Sequence, residues 1–180
     1  MFIQKRLFSV KWMQQKLASS TKTVSMVVHQ DEVKAGEYDS LIGGLSKSQE
    51  FRQDLNMSGA YWFYHQNKRV LLLQKSKDKP DAKPEDIKKS YRSLGVTACA
   101  SLQSKKVDDV QFLVSKKVAN ENLGVFENSF MLSNYENIKK KFEAKEEENK
   151  DEDYDVRTEK VGKRIKSFTI ETEEPYKDDF

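Results

Sequence analysis

The chain has 180 residues, of which 37% are apolar and 34% charged, and its net charge is +3. That length holds one domain with room for tails, and the charge is too small to imply nucleic acid by itself. No apolar run approaches the roughly 20 residues needed to span a bilayer, and Cys99, as the only cysteine, excludes an intrachain disulfide, which fits a reducing compartment.

Residues 1–22 read as a basic presequence-like arm. The first 30 residues carry Lys5, Arg6, Lys11, Lys16 and Lys22 and no acid. Phe2, Ile3, Leu7, Val10, Trp12, Met13 and Leu17 can share one face of a helix. A basic, acid-free, Ser/Thr/Gln-rich amphipathic start is the composition of a mitochondrial transit peptide. The run Arg6-Leu7-Phe8-Ser9 resembles the mitochondrial processing signal and makes Ser9 the expected new terminus. The expected location is therefore mitochondrial, on the matrix side. The competing reading is a basic amphipathic arm that docks on a partner or a membrane surface.

Residues 23–174 read as one α/β domain. Thr23 to His29 is β-branched and apolar, and predicts the first strand. Tyr38 to Leu45 holds a short apolar run ending in Gly43-Gly44, and predicts a strand and a turn. Ala60 to His65 and Arg69 to Gln74 flank Gln66-Asn67-Lys68 and predict a hairpin. Val70 to Leu73 shows no alternation, so it is expected to be buried on both faces. Pro84 opens a helix, with Glu85 and Asp86 in the first turn. Its apolar stripe is Ile87, Tyr91, Leu94, Ala98 and Leu102. Val110 to Ser115 is a strand. Asn120 to Phe142 is a second helix, with Leu123, Phe126, Phe130, Ile138 and Phe142 on one face. Residues 143–160 carry nine acids against four bases and read as a solvated loop. Lys166 to Glu171 is the last strand, and 175–180 an acidic tail. The alternation predicts a mixed sheet flanked by helices.

The stretch from Pro84 to Phe142, extended by Arg69-Val70-Leu71-Leu72-Leu73, resembles the amino-terminal domain of the M17 leucyl aminopeptidase family. The matching runs are Arg69 to Leu73, Ser90 to Ala98, Val110 to Val114, and Leu132-Ser133-Asn134-Tyr135 on to Lys141. Two runs depart from the pattern. Gln74-Lys75-Ser76-Lys77 replaces a Gly-Leu-Gly turn, and Glu127-Asn128-Ser129-Phe130 replaces small residues. The resemblance implies a macro-like fold and a domain that helps build an oligomer. It also implies that the family's second domain, which carries the catalytic metal ligands, would begin where this chain ends. A scaffold without the chemistry is expected, with no catalytic residue, cofactor or metal site.

The residues themselves point the same way. His29 and His65 are the only histidines, each at a strand end, and read as structural. Cys99 beside an apolar stripe reads as a buried, inert thiol. Gly43-Gly44 is the one glycine pair that could bring amides to a phosphate, and without further spacing it is a weak signal. Tyr61, Trp62, Phe63 and Tyr64 form the densest aromatic run. Alternation buries two and presents two, and the presented pair is a candidate partner-binding face. The expected function is a non-catalytic structural or accessory subunit of a larger mitochondrial assembly, such as a respiratory complex, the ATP synthase or the mitochondrial ribosome. The expected partners are other protein subunits, with nucleic acid only if the assembly is ribosomal and with peripheral membrane contact left open. The alternatives are a regulator of a true M17 aminopeptidase, or a nucleic-acid-binding module using patches such as Lys139-Lys140-Lys141.

Overall fold

The computed structural model describes residues 2–46, 59–119, 122–148 and 164–173. The acidic tail 175–180 and most of the charged segment 143–160 lie outside these residues. Five strands form one mixed sheet: β1 (Thr23–His29), β2 (Gly59–His65), β3 (Lys68–Lys75), β4 (Asp109–Val114) and β5 (Ser167–Thr172). Their order is β2-β3-β1-β4-β5. β2 and β3 are antiparallel, and the β3-β1, β1-β4 and β4-β5 pairs are parallel. The helices are α1 (Phe2–Ser19), α2 (Gln30–Lys34), α3 (Asp39–Ser46), α4 (Pro84–Ser104), α5 (Lys116–Ala119) and α6 (Leu123–Glu148).

The unalternating run in β3 governs the layering. Leu71 and Leu73 point to one side of the sheet, with Val27, Val110, Phe112 and Val114. Val70 and Leu72 point to the other, with Val24, Met26, Val28 and Leu113. Both faces of the central strands are apolar, so both need a helical cover. On the first face, Tyr91, Leu94, Ala98 and Leu102 of α4 and Leu123, Phe126 and Phe130 of α6 close the core. Phe112, Phe130 and Phe168 meet edge to face, with ring centroids 5.1 Å apart for Phe112–Phe130 and for Phe130–Phe168. The large Phe130 is thus the keystone between α6, β4 and β5. α4 and α6 approach closely at Gly95, where an added Cβ would lie 2.6 Å from the Phe126 carbonyl oxygen.

On the second face, α1 and α3 form the cover. Met13 and Leu17 are completely buried, and Val10 and Trp12 pack beside them. The end of α1 is held by Lys68, whose ammonium donates to the carbonyls of Leu17 (2.8 Å), Ala18 (2.7 Å) and Ser20 (2.9 Å). Three donors meet three acceptors at the negative end of a helix, where the last carbonyls have no partner of their own. Lys16 adds an ion pair with Glu171 at 2.6 Å. The stretch read from sequence as an arm ahead of the domain is therefore one of its layers. Arg6, Phe8 and Ser9 lie within α1, and their side chains are outside the described set.

Two elements differ from the sequence-based expectation. The run Tyr38 to Leu45 is not a strand but α3, kinked at Gly43 (φ +30°, ψ −98°). Tyr38, Leu41 and Ile42 are buried together, and spacings of three and four put them on one helical stripe. α6 also continues to Glu148, six residues into the segment read as a loop. The hairpin is present, with Gln66 (φ +47°) and Asn67 (φ +63°) as its two-residue turn. Two consecutive left-handed residues match the twist of the flanking strands.

Two substitutions test this packing. Lys68→Met should cost about 1–3 kcal/mol in urea unfolding, because it leaves three carbonyls without their charged donor. Gly95→Ala should cost about 1–3 kcal/mol by forcing α4 and α6 apart; unchanged stability in either variant would contradict the contact it removes.

Candidate interaction surface

Open α/β sheets bind ligands beyond the carboxyl ends of parallel strands, where neighbouring strands lead off in opposite directions. Here that point lies between β1, whose chain goes on towards β3, and β4, whose chain goes on towards β5. The residues there are polar and buried: His29, Gln30, Glu32, Gln74, Lys75 and Ser115. The partners of His29, Gln30, Glu32, Lys75 and Ser115 are in the chain itself. The Ser115 amide donates to the Val27 carbonyl at 2.9 Å, and its hydroxyl accepts from the Val118 amide at 3.4 Å. Glu32 Oε2 accepts from the His29 amide at 2.8 Å, and His29 Nδ1 accepts from the Asp31 amide at 3.2 Å. The pair forms a reciprocal cap on α2. Because Nδ1 accepts there, its 3.7 Å approach to the Asp31 carboxylate is a contact rather than an ion pair. Asp31 instead pairs with Lys117 at 3.0 Å, bridging α2 to α5 across the crevice.

Lys75 closes the neighbouring strand end. Its side chain is fully buried, 2.8 Å from Asp78 and 2.9 Å from the Ser76 carbonyl, with its ammonium 5.0 Å above the Tyr91 ring. The Gln30 side chain accepts from the Lys77 amide at 2.8 Å. The run Gln74 to Lys77 thus ties β3 to α2 and α4. A buried lysine is not visible in composition; the signal was a basic residue directly after a doubly buried strand. Outside this lock lies an open depression of about 590 Å³. Lys77, Lys79, Lys83 and Lys89 alternate there with Asp78, Asp81 and Asp86, so neither sign of charge dominates.

The other predicted residues are distributed as follows. His65 is half-buried, with Nδ1 3.2 Å from the Leu41 carbonyl, and it pins β2 to α3. Cys99 is buried in the α4 core, and burial pushes its thiol up to about 11. Gly43 forms the kink of α3, with open space where a Cβ would stand. The aromatic run lies on β2. Phe63 is buried and Tyr61 packs partly against the α1 side. Trp62 packs on the α4 side, with the Arg69 guanidinium 5.0 Å above its ring. Tyr64 is 75% exposed. The chain therefore covers three of the four aromatics and presents one. Further large apolar side chains are exposed on the helical layer: Val96 on α4, and Met131, Leu132 and Tyr135 on α6. Sequence reading missed these because their helix was assigned a single apolar face.

No family model matches the chain, and no curated protein sequence matches it. Among solved structures it is similar to a mutant of tomato leucine aminopeptidase, with a TM-score of 0.50 and 15% identity over 85% of this chain. The chain spans 30% of that enzyme's length. The likeness shows an aminopeptidase-like α/β fold. Among the described residues no group of three or more His, Cys, Asp or Glu could hold a metal ion, and no helix is long and apolar enough to cross a membrane.

Two carboxylates give the fold opposite pH responses. Burial raises the Glu32 carboxyl above its ordinary value of 4.5, whereas the Lys16 bond lowers that of Glu171. Glu32 therefore stabilises the fold most when protonated, and stability falls as pH rises from its unfolded value through its raised folded one. Glu171 stabilises above its unfolded value, and that contribution is lost as pH falls through its lowered folded one. Urea unfolding from pH 3 to pH 7 should show Glu32→Gln gaining on the parent as pH rises and Glu171→Gln gaining as pH falls. The reverse order would refute the assignment.

Proposed function

We propose that the chain is a non-catalytic structural or accessory subunit of a larger mitochondrial assembly, built on a macro-like domain of the M17 aminopeptidase amino-terminal type. The observation that carries this reading is the stitching of the switch-point crevice. His29, Glu32, Ser115 and Lys75 cap helices and tie strand ends, which is scaffold work. The surface then offers Tyr64 at the β2 edge and apolar side chains on α4 and α6. Exposed aromatic and aliphatic side chains suit contacts with protein subunits.

Import into the matrix fits the basic, acid-free start of the chain. A cut before Ser9 would remove the first eight residues and keep Val10, Met13 and Leu17, which close one face of the sheet. The address and the cover thus overlap in one helix, and the address is read while the chain is unfolded.

A second reading, a regulator that joins a true M17 aminopeptidase, is favoured by the likeness of 85% of this chain to part of one such enzyme. Native purification of the tagged chain from mitochondria, with mass spectrometry of what accompanies it, separates the two. The proposal expects one defined multi-protein complex. Aminopeptidase subunits alone would favour the regulator, and a chain recovered alone or outside mitochondria would refute the proposal.

A further inference from the structure

We propose that the end of the domain formed by the β2-β3 hairpin and the last turn of α4 is a platform for single-stranded nucleic acid, with Tyr64 and Arg69 as its stacking surface. This goes beyond the subunit role proposed above. It gives the Tyr64 end of the domain its own class of ligand, and binding is measured without any assembly.

The chain segregates its charges at this end. Three segments converge there: 18–30 with the start of β1, 59–77 with the hairpin, and 91–107 with the end of α4. None of them contains an Asp or a Glu. α1 and α4 both end here, and a helix C-terminus carries negative partial charge. Two cations answer it. Lys68 donates to the last carbonyls of α1, and Arg69 Nη2 donates to the Lys105 carbonyl at 3.4 Å. Lys22, Lys105 and Lys106 are exposed and add to these, so the surface is cationic. The next acids along the chain are turned towards β5. Asp108 lies 3.5 Å from Lys166, and Asp109 accepts from the Ser167 hydroxyl.

The aromatic residues give this cationic end a second feature. Side chains alternate along β2, so Trp62 and Tyr64 share one face. Tyr64 stands directly opposite Arg69 in the antiparallel ladder. The Arg69 guanidinium lies 5.0 Å above the Trp62 ring. That contact and the Lys105 bond hold the planar cation in place. Trp62 is half-buried, whereas Tyr64 is 75% exposed. The chain enters β2 at Gly59, five residues and about 17 Å from Tyr64.

A flat guanidinium and a flat exposed ring therefore adjoin, with lysines beside them. Bases stack on both kinds of surface, and phosphates pair with the cations. A single strand satisfies the two features at once, because its bases are free to leave one another. An acidic peptide or an anionic bilayer supplies the negative charge alone.

Fluorescence anisotropy of the full chain tests the platform, with labelled oligouridine and oligothymidine of about 12 nucleotides. At about 50 mM salt both should bind with a Kd below about 50 µM. The two should agree within about threefold, since stacking and phosphate pairing do not use the 2′-hydroxyl. The log–log salt slope should be at least about 2, as three phosphate contacts on a single strand require. Lys105→Gln with Lys106→Gln should lower that slope by about 1.4. Tyr64→Ala, with folding checked by circular dichroism, should weaken binding at least about fivefold, and Tyr64→Phe should keep it within about twofold. Lys79→Gln, in the depression at the other end of the strands, should leave binding unchanged. A chain that binds neither oligonucleotide would overturn the proposal. So would binding indifferent to Tyr64→Ala, or a salt slope indifferent to Lys105 and Lys106. Capture by vesicles of phosphatidylcholine and phosphatidylserine, with no oligonucleotide bound, would overturn it as well.

Discussion

The structure depends on one constraint: the central strands are apolar on both faces. Val70 and Leu72 face one side of β3 and Leu71 and Leu73 the other, with β1 and β4 matching them in register. At about 25 cal/mol per Å² of apolar surface, leaving either side in water would forgo a large part of the driving force for folding. Two helical layers are therefore obligatory. α4 and α6 supply one, and the basic start of the chain supplies much of the other. The Lys68 ammonium under the last carbonyls of α1 fixes that helix to the β2-β3 hairpin. Its charge matters as much as its hydrogen bonds, since it meets the negative end of the helix dipole.

Much of this was legible in the residues. The hairpin, the doubly buried strand, both long helices and the last strand follow from periodicity and turn chemistry, which act locally. What failed to read was decided by tertiary packing. Tyr38 to Leu45 has too few residues for its period to separate strand from helix, and the sheet already had its central strands. The place of α1 was hidden by composition, because its basic residues fit an address as well as a surface helix. Lys68 and Lys75 look like ordinary surface lysines in the sequence. One becomes a helix cap and the other a buried tie, through partners 48 to 51 residues distant for Lys68 and three residues distant for Lys75.

The candidate sites divide in the same way. The aromatic run on β2 was found by density alone, but its division into covered and presented side chains depended on Arg69 and on the helices above and below. The polar groups at the crevice between β1 and β4 were not foreseen. They occupy the place where such folds bind ligands, and here they bind the chain to itself.

α1 is a layer of the fold through Met13 and Leu17, so any address it carries must be read before folding. Amide hydrogen exchange of the full chain tests this most directly, comparing Met13 to Leu17 with Leu71 to Leu73. Exchange should be slow in both segments, with protection lost together in a single cooperative opening. Exchange at Met13 to Leu17 as fast as in an unstructured peptide, with Leu71 to Leu73 still protected, would contradict it.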